Sequence, residues 1–258
     1  AAIGSKVSPT EIHLTIDTGM GRIGIPAHHA LESLRTIAQS PHLKITGINS
    51  HFPSADENPA FTLDQITRFQ EIVAQARPFL PDLQLIHIAN SAGTLGFPVQ
   101  PSNLVRSGLA LYGASPLPQF QAALKPVMTW KTRITLVRDL PAGHGISYGS
   151  TFVTPTPMRI ATLAAGYADG YHRRLSNQNA SVILHNSRCP ILGRITMDQI
   201  MVDVSQMNHA APGDEVVLLG QTTNGTGITA SELAEKAGTI PWEIFTSVAK
   251  RTERFATA

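Results

Sequence analysis

The chain has 258 residues, of which 42% are hydrophobic and 15% charged, and its formal net charge is +2 at pH 7. This composition excludes a disordered chain and suffices for one large or two modest domains. So small a net charge gives no support to binding of nucleic acid or a membrane surface. No apolar run approaches the ~18 residues that a membrane span needs. The single cysteine, Cys189, cannot form an internal disulfide, which fits a reducing compartment, and we expect a cytoplasmic protein without a bound metal.

The first half alternates strand-like and helix-like segments. Helical spacing of apolar residues follows Pro26, and Thr62-Leu-Asp-Gln65 has the pattern of a helix capping box. Such alternation predicts parallel strands with helices outside, in a barrel or a doubly wound sheet. The predicted strands are residues 11–17, 44–50, 85–89 and 104–106.

The second half has period-two patterns, beyond a proline-containing connector at residues 117–125. The first strand is expected to carry Met128, Trp130, Ile134 and Leu136 on one face. Thr229-Ala-Ser-Glu232 predicts a capped helix that Gly238 ends. The predicted class is therefore α/β over residues 1–120 followed by a mostly β domain over residues 121–258. Further strands are expected at residues 160–163, 182–184, 200–204 and 216–219.

One glycine pattern favours a nicotinamide-dependent oxidoreductase. Gly19-Met-Gly21-Arg-Ile-Gly24 matches the dinucleotide fingerprint G-x-G-x-x-G after a strand. That fingerprint also requires an acidic residue at the end of the next strand. The second strand ends instead at Asn49-Ser50-His51. The oxidoreductase is therefore the alternative prediction.

Polar side chains follow the predicted strands of the first half, where barrel enzymes place their chemistry. They are Arg22, His51, Asn90, Ser91 and Arg106.

Two tyrosines of the second half lie in glycine-bounded turns, Gly145-Ile-Ser-Tyr148-Gly-Ser-Thr and Gly166-Tyr167-Ala-Asp-Gly170. Glycine allows the tight turns that hold such side chains at an exposed tip. With arginines close behind, the second turn indicates a site for a small anionic molecule.

These turns resemble those of the alanine racemases, which use pyridoxal 5′-phosphate (PLP), and the resemblance runs from about Ile12 to the C-terminus. It implies the second half of a TIM-type (β/α)₈ barrel followed by a mostly β domain. It also implies a homodimer that interconverts L- and D-alanine by two-base proton transfer at a PLP Schiff base. D-alanine is a peptidoglycan precursor, so the implied role is biosynthetic.

The resemblance assigns the strand-end residues to the cofactor. Arg22 would contact the phenolic oxygen, His51 would lie against the ring, and Arg106 would face the pyridine nitrogen. Asn90 and Ser91 would form the cofactor-binding pair whose serine meets the phosphate. The backbone N–H groups of Gly108 and Leu109 would hold the phosphate as well.

The resemblance assigns the proton transfer to Tyr148, with His51 and Arg106 as the neighbours that activate it. Tyr148 and Met197 would act in the partner subunit's site. Tyr167, Met197 and Asp198 would bind the substrate.

The chain departs from the family pattern at three places. No lysine matches the one that carries PLP, so we expect an N-terminal segment to be missing, and a separate fragment could supply it. Thr15 stands where many members have a lysine that orients the arginine matching Arg22. Lys250 stands near the place of a phosphate-binding tyrosine. A non-catalytic PLP-binding barrel is a further alternative, but that group lacks the β domain.

Overall fold

The computed structural model describes residues 8–222 and 224–256, in two compact units that divide between Lys125 and Pro126. Among the described residues, no helix has the length and apolar character that crossing a membrane requires.

Parallel strands make up the sheet of the first unit, and within residues 8–125 they are β1 Thr10–Asp17, β2 Ile25–Pro26, β3 Leu43–Asn49 and β4 Leu85–His87. Their order in the sheet is β2-β1-β3-β4. A loop joins β1 to β2, and helices connect β2 to β3 and β3 to β4, as in consecutive units of a barrel. The α2 helix, Pro59–Ala76, buries Ile66, Phe69, Val73 and Ala76, as its spacing predicted. The α-helices are α1 Ala30–Ala38, α2 Pro59–Ala76 and α3 Ser91–Gly96, and the 3₁₀ turns are Ala27–His29, Arg77–Phe79, Leu109–Tyr112 and Pro118–Ala123.

The strand predicted at residues 104–106 is wrong. This segment is a loop that lies beside β4. The N–H of Asn103 donates to the Ile86 carbonyl and the N–H of Arg106 donates to the Ala89 carbonyl, both at 3.0 Å. The Asn103 side chain accepts the Ile86 N–H at 2.9 Å, where a strand partner would offer a main-chain carbonyl. A side chain thus replaces part of the ladder, and no strand forms.

The predicted start of α2 is also wrong. The helix begins at Pro59, and the Asn58 side chain caps it by accepting the Phe61 N–H at 3.1 Å. Thr62 lies inside the first turn, where its hydroxyl donates to the Asn58 carbonyl at 2.9 Å. Pro26, expected to begin a helix, instead ends β2 before a 3₁₀ turn.

The second unit is a mostly antiparallel β structure, as predicted. Within residues 126–222 and 224–256, its strands are β5 Trp130–Leu140, β6 Gly145–Ile146, β7 Phe152–Val153, β8 Met158–Leu163, β9 Ser181–Leu184, β10 Ser187–Pro190, β11 Ile200–Asp203, β12 Glu215–Gln221 and β13 Gly227–Ile228. The main sheet has the order β10-β9-β12-β5-β8-β11, with β13 beside β12 and a separate β6–β7 hairpin. Its helices are α4 Ala230–Ala237 and α5 Pro241–Ser247, and its 3₁₀ turns are Tyr148–Ser150, Tyr167–Asp169 and Arg173–Leu175.

Of two sequence predictions for this unit, one is confirmed and the other is wrong. The Thr229 hydroxyl caps α4 by accepting the Glu232 N–H at 3.0 Å, and Gly238 ends it with φ 65°, as predicted. The prediction that β5 has a single apolar face is wrong, because the pairing of β5 with β8 shifts between Ile134 and Leu136. A bulge of this kind reverses the alternation, so Leu136 is exposed while Ile134 is buried.

Candidate active site

The glycine-rich loop after β1 is closed on a carboxylate. Asp17 Oδ1 accepts the N–H groups of Gly19, Met20 and Gly21 at 2.8–3.1 Å. The amides of Gly19 and Gly21 hold the pKa of Asp17 below its usual value. Since the amides that a dinucleotide's phosphates would need already bind Asp17, and a strand rather than a helix follows Gly24, the oxidoreductase alternative is wrong.

Arg106 lies between three acceptors at the ends of β3 and β4. Its Nη2 donates to the Ser50 carbonyl at 2.7 Å and to His51 Nδ1 at 3.3 Å, and its Nη1 donates to His87 Nδ1. The structure thus brings together His51 and Arg106, two of the predicted catalytic residues. Burial lowers the pKa of the Arg106 guanidinium, but an arginine stays charged at ordinary pH.

These contacts determine where the histidine protons are. Arginine has only donors, so both Nδ1 atoms accept, and a neutral His51 and His87 each carry the proton on Nε2. Burial, followed by the charges of Arg106 and His13, lowers the pKa of His87 to about 4. Burial, followed by Arg106 and Arg22, also lowers the pKa of His51. Both rings are therefore neutral at pH 7, and His51 has a fixed donor on its far side.

His87 and His13 are parts of the site that sequence reasoning missed. His87 Nε2 donates to His13 Nδ1 at 3.0 Å, which extends the chain from Arg106. A bulge in the β1–β3 pairing precedes His13, whose ring crosses Gly47 so closely that a Cβ there would lie 2.5 Å away. The available signal was a histidine inside each of two apolar strands.

Ser91 joins the start of α3 to the loop at residue 108. Its hydroxyl accepts the N–H groups of Gly108 at 3.0 Å and Ala110 at 3.2 Å, while Leu109 between them is buried. A hydroxyl that accepts two bonds must direct its own proton elsewhere, so it can donate to an anion. Asn90 has a structural task, because its Oδ1 caps α3 at Gly93 and its Nδ2 donates to the Phe52 carbonyl.

Arg22 and Arg106 both line a small pocket of about 120 Å³ between the ends of β1 and β3. Thr15 also lines it, but its hydroxyl donates to Asn49 Oδ1 at 3.1 Å. Thr15 therefore binds the neighbouring strand and supplies no charge to Arg22. His51 also lines this pocket and adds a neutral donor to the two cationic arginines.

In the second unit, Tyr148 lies at the tip of the turn after β6. Ser147 and Gly149 on either side have φ of 62° and 72°, a left-handed region that glycine favours. The Ser147 hydroxyl donates to the Arg194 carbonyl at 2.6 Å, which ties the turn to the segment before Met197. Tyr148 is 71% exposed, so in this unit it has little cover.

The structure brings Tyr167, Met197 and Asp198, the residues predicted to bind the substrate, close together in the second unit. The N–H of Tyr167 donates to the Thr196 carbonyl, and the N–H of Ala168 donates to the Met197 carbonyl, both at 3.0 Å. Tyr167 is 41% and Met197 52% exposed. Asp198 Oδ1 accepts from Arg251 Nη2 at 2.8 Å, a pairing that the sequence did not suggest.

No group of three or more His, Cys, Asp or Glu side chains in residues 8–222 and 224–256 is arranged to hold a metal ion.

Two family profiles match this chain. "Alanine racemase, N-terminal domain" matches residues 2–116, and "Alanine racemase, C-terminal domain" matches residues 127–256.

Individual proteins agree with these profiles. The chain is 42% identical to the alanine racemase of Halothermothrix orenii and 44% identical to that of Symbiobacterium thermophilum, each over 95% of this chain and 65% of the relative. The crystal structure of alanine racemase from D-cycloserine-producing Streptomyces lavendulae superimposes with a TM-score of 0.86 at 37% identity, over 94% of this chain and 65% of that one. The chain thus spans about two thirds of the length of these relatives.

Proposed function

The chain belongs to the alanine racemase family, and from this we propose that it forms part of an enzyme that interconverts L- and D-alanine with PLP. The observation that carries the proposal is the position of Arg106, whose guanidinium has only donors and binds both His51 and His87 at the strand ends. When bound, PLP supplies an electron sink that makes the α-proton of an amino acid removable.

The residues of the first unit fit this cofactor, and we assign PLP binding to residues 1–120. Ser91, with a free donor, and the amide of Leu109 would hold the phosphate, and Asn90 would support Ser91 by capping α3. The amide of Gly108, predicted to share this role, instead donates to the Ser91 hydroxyl. Arg22 would hold the phenolic oxygen, and His51 would lie against the ring. Because Arg106 has no acceptor, it would leave the pyridine nitrogen unprotonated. A weaker electron sink favours prompt return of the proton, which a racemase requires.

Racemisation needs one base on each face of the substrate carbon. We assign one face to the Tyr148 hydroxyl. Since Arg106 fixes the Nδ1 of His51 as an acceptor, His51 Nε2–H can donate to a phenolate oxygen and stabilise it. The charge of Arg106 acts through His51 in the same direction.

The exposure of Tyr148 and Met197 supports a homodimer in which both residues act in the partner's site. Tyr167, Met197 and Asp198 would then border the substrate. A phenol ring and a thioether leave little room beyond a methyl group, which favours alanine.

The second base is a lysine in the family, and among residues 8–222 and 224–256 none that lines the pocket at Arg22 and Arg106 is a lysine. We propose that a segment outside these 258 residues supplies it, on the same polypeptide or on a separate one. The exposed His13 on β1 supports this, because the interior face of a barrel strand is normally covered. A biosynthetic role in the cytoplasm, supplying D-alanine for peptidoglycan, is part of the same proposal.

Reconstitution tests the proposal. The chain alone with PLP should show no pyridoxyl group on a lysine after borohydride treatment, measured by intact mass. Refolding with an N-terminal alanine racemase segment should restore labelling and conversion of L- to D-alanine, whereas a segment whose lysine is replaced by alanine should restore neither.

Two results would contradict parts of the proposal. Labelling and racemisation by this chain alone would locate the lysine within it, with Lys250 the first to examine. Tight PLP binding without racemisation in the refolded assembly would favour the non-catalytic PLP-binding barrel.

A further inference from the structure

The turns that carry Tyr167 and Met197 are in direct backbone contact. A Cβ at Gly166 would lie 2.3 Å from the carbonyl oxygens of Thr196 and Met197, so only glycine fits there. The Gly166 N–H donates to Asp169 Oδ2 at 2.9 Å, which closes the Tyr167 turn on its own carboxylate. The two turns therefore move together or lose these bonds.

Arg251 joins the same two turns from outside. Its Nε donates to Asp169 Oδ1 at 2.7 Å and its Nη2 donates to Asp198 Oδ1 at 2.8 Å. Asp169 belongs to the Tyr167 turn and Asp198 follows Met197 directly. One planar guanidinium thus holds a carboxylate from each turn, a geometry that the single charge of a lysine does not reproduce.

The segment that carries Arg251 is itself anchored on the Tyr167 turn. The Ala249 N–H donates to the Asp169 carbonyl at 2.9 Å, and the Ser247 hydroxyl donates to the Gly170 carbonyl at 2.9 Å. A Cβ at Gly170 would lie 2.1 Å from the Ser247 carbonyl oxygen. Arg251 therefore starts from a fixed backbone position when it reaches both carboxylates.

We propose that Arg251 is a positioning residue that keeps Tyr167 and Met197 at one separation and so sets how much room the substrate pocket leaves beyond a methyl group. The proposal rests on the proposed function. Arg251 and Asp198 are 49% and 60% exposed, so their pairing adds little to overall stability. Without Arg251, two carboxylates near one another would be left without their shared cation, and their repulsion would weaken the contact between the turns.

Backbone amide hydrogen exchange in the full chain gives a readout that needs no activity. Arg251→Met should speed exchange of the Tyr167 and Ala168 amides by about tenfold or more, while the rest of the second unit stays protected. Arg251→Lys should have an intermediate effect. The matched control is Arg188→Met, which removes a bidentate pairing with Glu232 elsewhere in the unit and should leave both amides unchanged.

Substrate selectivity is the second readout, measured in the refolded assembly. Arg251→Met should lower the ratio of kcat/KM for alanine to that for serine by about tenfold, because discrimination by one added group depends on a tight pocket. Unchanged exchange at Tyr167 and Ala168, or an unchanged ratio in an active assembly, would overturn the proposal. Should Arg251→Met fail to fold, Asp198→Ala removes one of the two contacts, and unchanged exchange at Ala168 would overturn it equally. An inactive unsubstituted assembly would reject the proposed function instead, since the exchange measurement stands without it.

Discussion

The guanidinium of Arg106 donates from Nη1 to Nδ1 of His87, which makes the second histidine of the site an obligatory acceptor on that side. The His87 ring is buried, and its Nε2–H donates to Nδ1 of His13 at 3.0 Å. A protonated His87 would place a proton against the Arg106 donor. The pairing therefore excludes the charged histidine from the native state at neutral pH.

This exclusion predicts that stability depends on pH. The pKa of His87 is about 4 in the folded chain, against an ordinary 6.5, so the unfolded state binds the proton first as the pH falls. The contribution of His87 to the free energy of unfolding should therefore be constant above about pH 6.5 and decrease by about 3 kcal/mol on acidification to pH 4. His51, whose pKa is also lowered, acts in the same direction.

Urea unfolding between pH 4 and 8 measures this dependence. His87→Gln should flatten it, whereas His28→Gln at an exposed position should not. An equal slope in the His87 variant and the unsubstituted chain would show that His87 is not held neutral.

Arg106→Glu should abolish most of the activity of the refolded assembly. The substitution removes the donors to Ser50, His51 and His87 and puts an acceptor in their place. We expect kcat to fall by at least about a hundredfold, a loss typical of removing preorganised donors. The visible spectrum of the PLP-loaded protein with alanine should also change, because a carboxylate would keep the pyridine nitrogen protonated. An unchanged spectrum and rate would remove Arg106 from the cofactor site.

Tyr148→Phe should slow proton abstraction in one direction far more than it weakens PLP binding. If Tyr148 acts in the partner's site, mixing Tyr148→Phe subunits with Arg106→Glu subunits should give heterodimers with one working site. The check is racemase activity of the mixture after subunit exchange, confirmed by mass. Verified heterodimers that stay inactive would locate Tyr148 in its own chain's site or in none.

Ser91→Ala should cost stability and phosphate affinity together. It leaves the N–H groups of Gly108 and Ala110 without their acceptor, which should lower the free energy of unfolding by about 1–3 kcal/mol. Affinity for PLP should also fall, as measured by titration. Thr67→Val, on the exposed side of α2, is the control and should change both quantities little, because the Thr67 hydroxyl bonds only within its own helix. A variant with unaltered PLP affinity would separate Ser91 from the phosphate site.

Much of the framework follows from sequence because it depends on local spacing. The strands β1, β3 and β4 and the buried face of α2 come from apolar residues whose period reflects burial. The prediction of the start of α2 failed because the sequence contains two helix-start signals close together. Asn58 before Pro59 is a stronger helix start than the Thr62 capping box, which the longer helix absorbs.

The rest depends on register between distant segments, which one sequence does not display. His13 meets His87 only because a bulge shifts β1 against β3 and Gly47 leaves space for the ring. Arg251 meets Asp198 across 53 residues. Leu136 faces outward because β5 slips by one position against β8. The predicted residues Arg22, His51 and Arg106 converge because parallel strands end at one edge.

The loop closed on Asp17 has a thermodynamic consequence. Its amides donate to the Asp17 carboxylate, so the chain itself fixes the backbone from which Arg22 projects. Binding at this edge then loses less conformational entropy than it would with a loop that folds around its ligand. Calorimetric titration of the refolded assembly with PLP should therefore show a smaller entropic penalty for the unsubstituted chain than for Asp17→Ala. In that variant Arg22 must be immobilised when PLP binds.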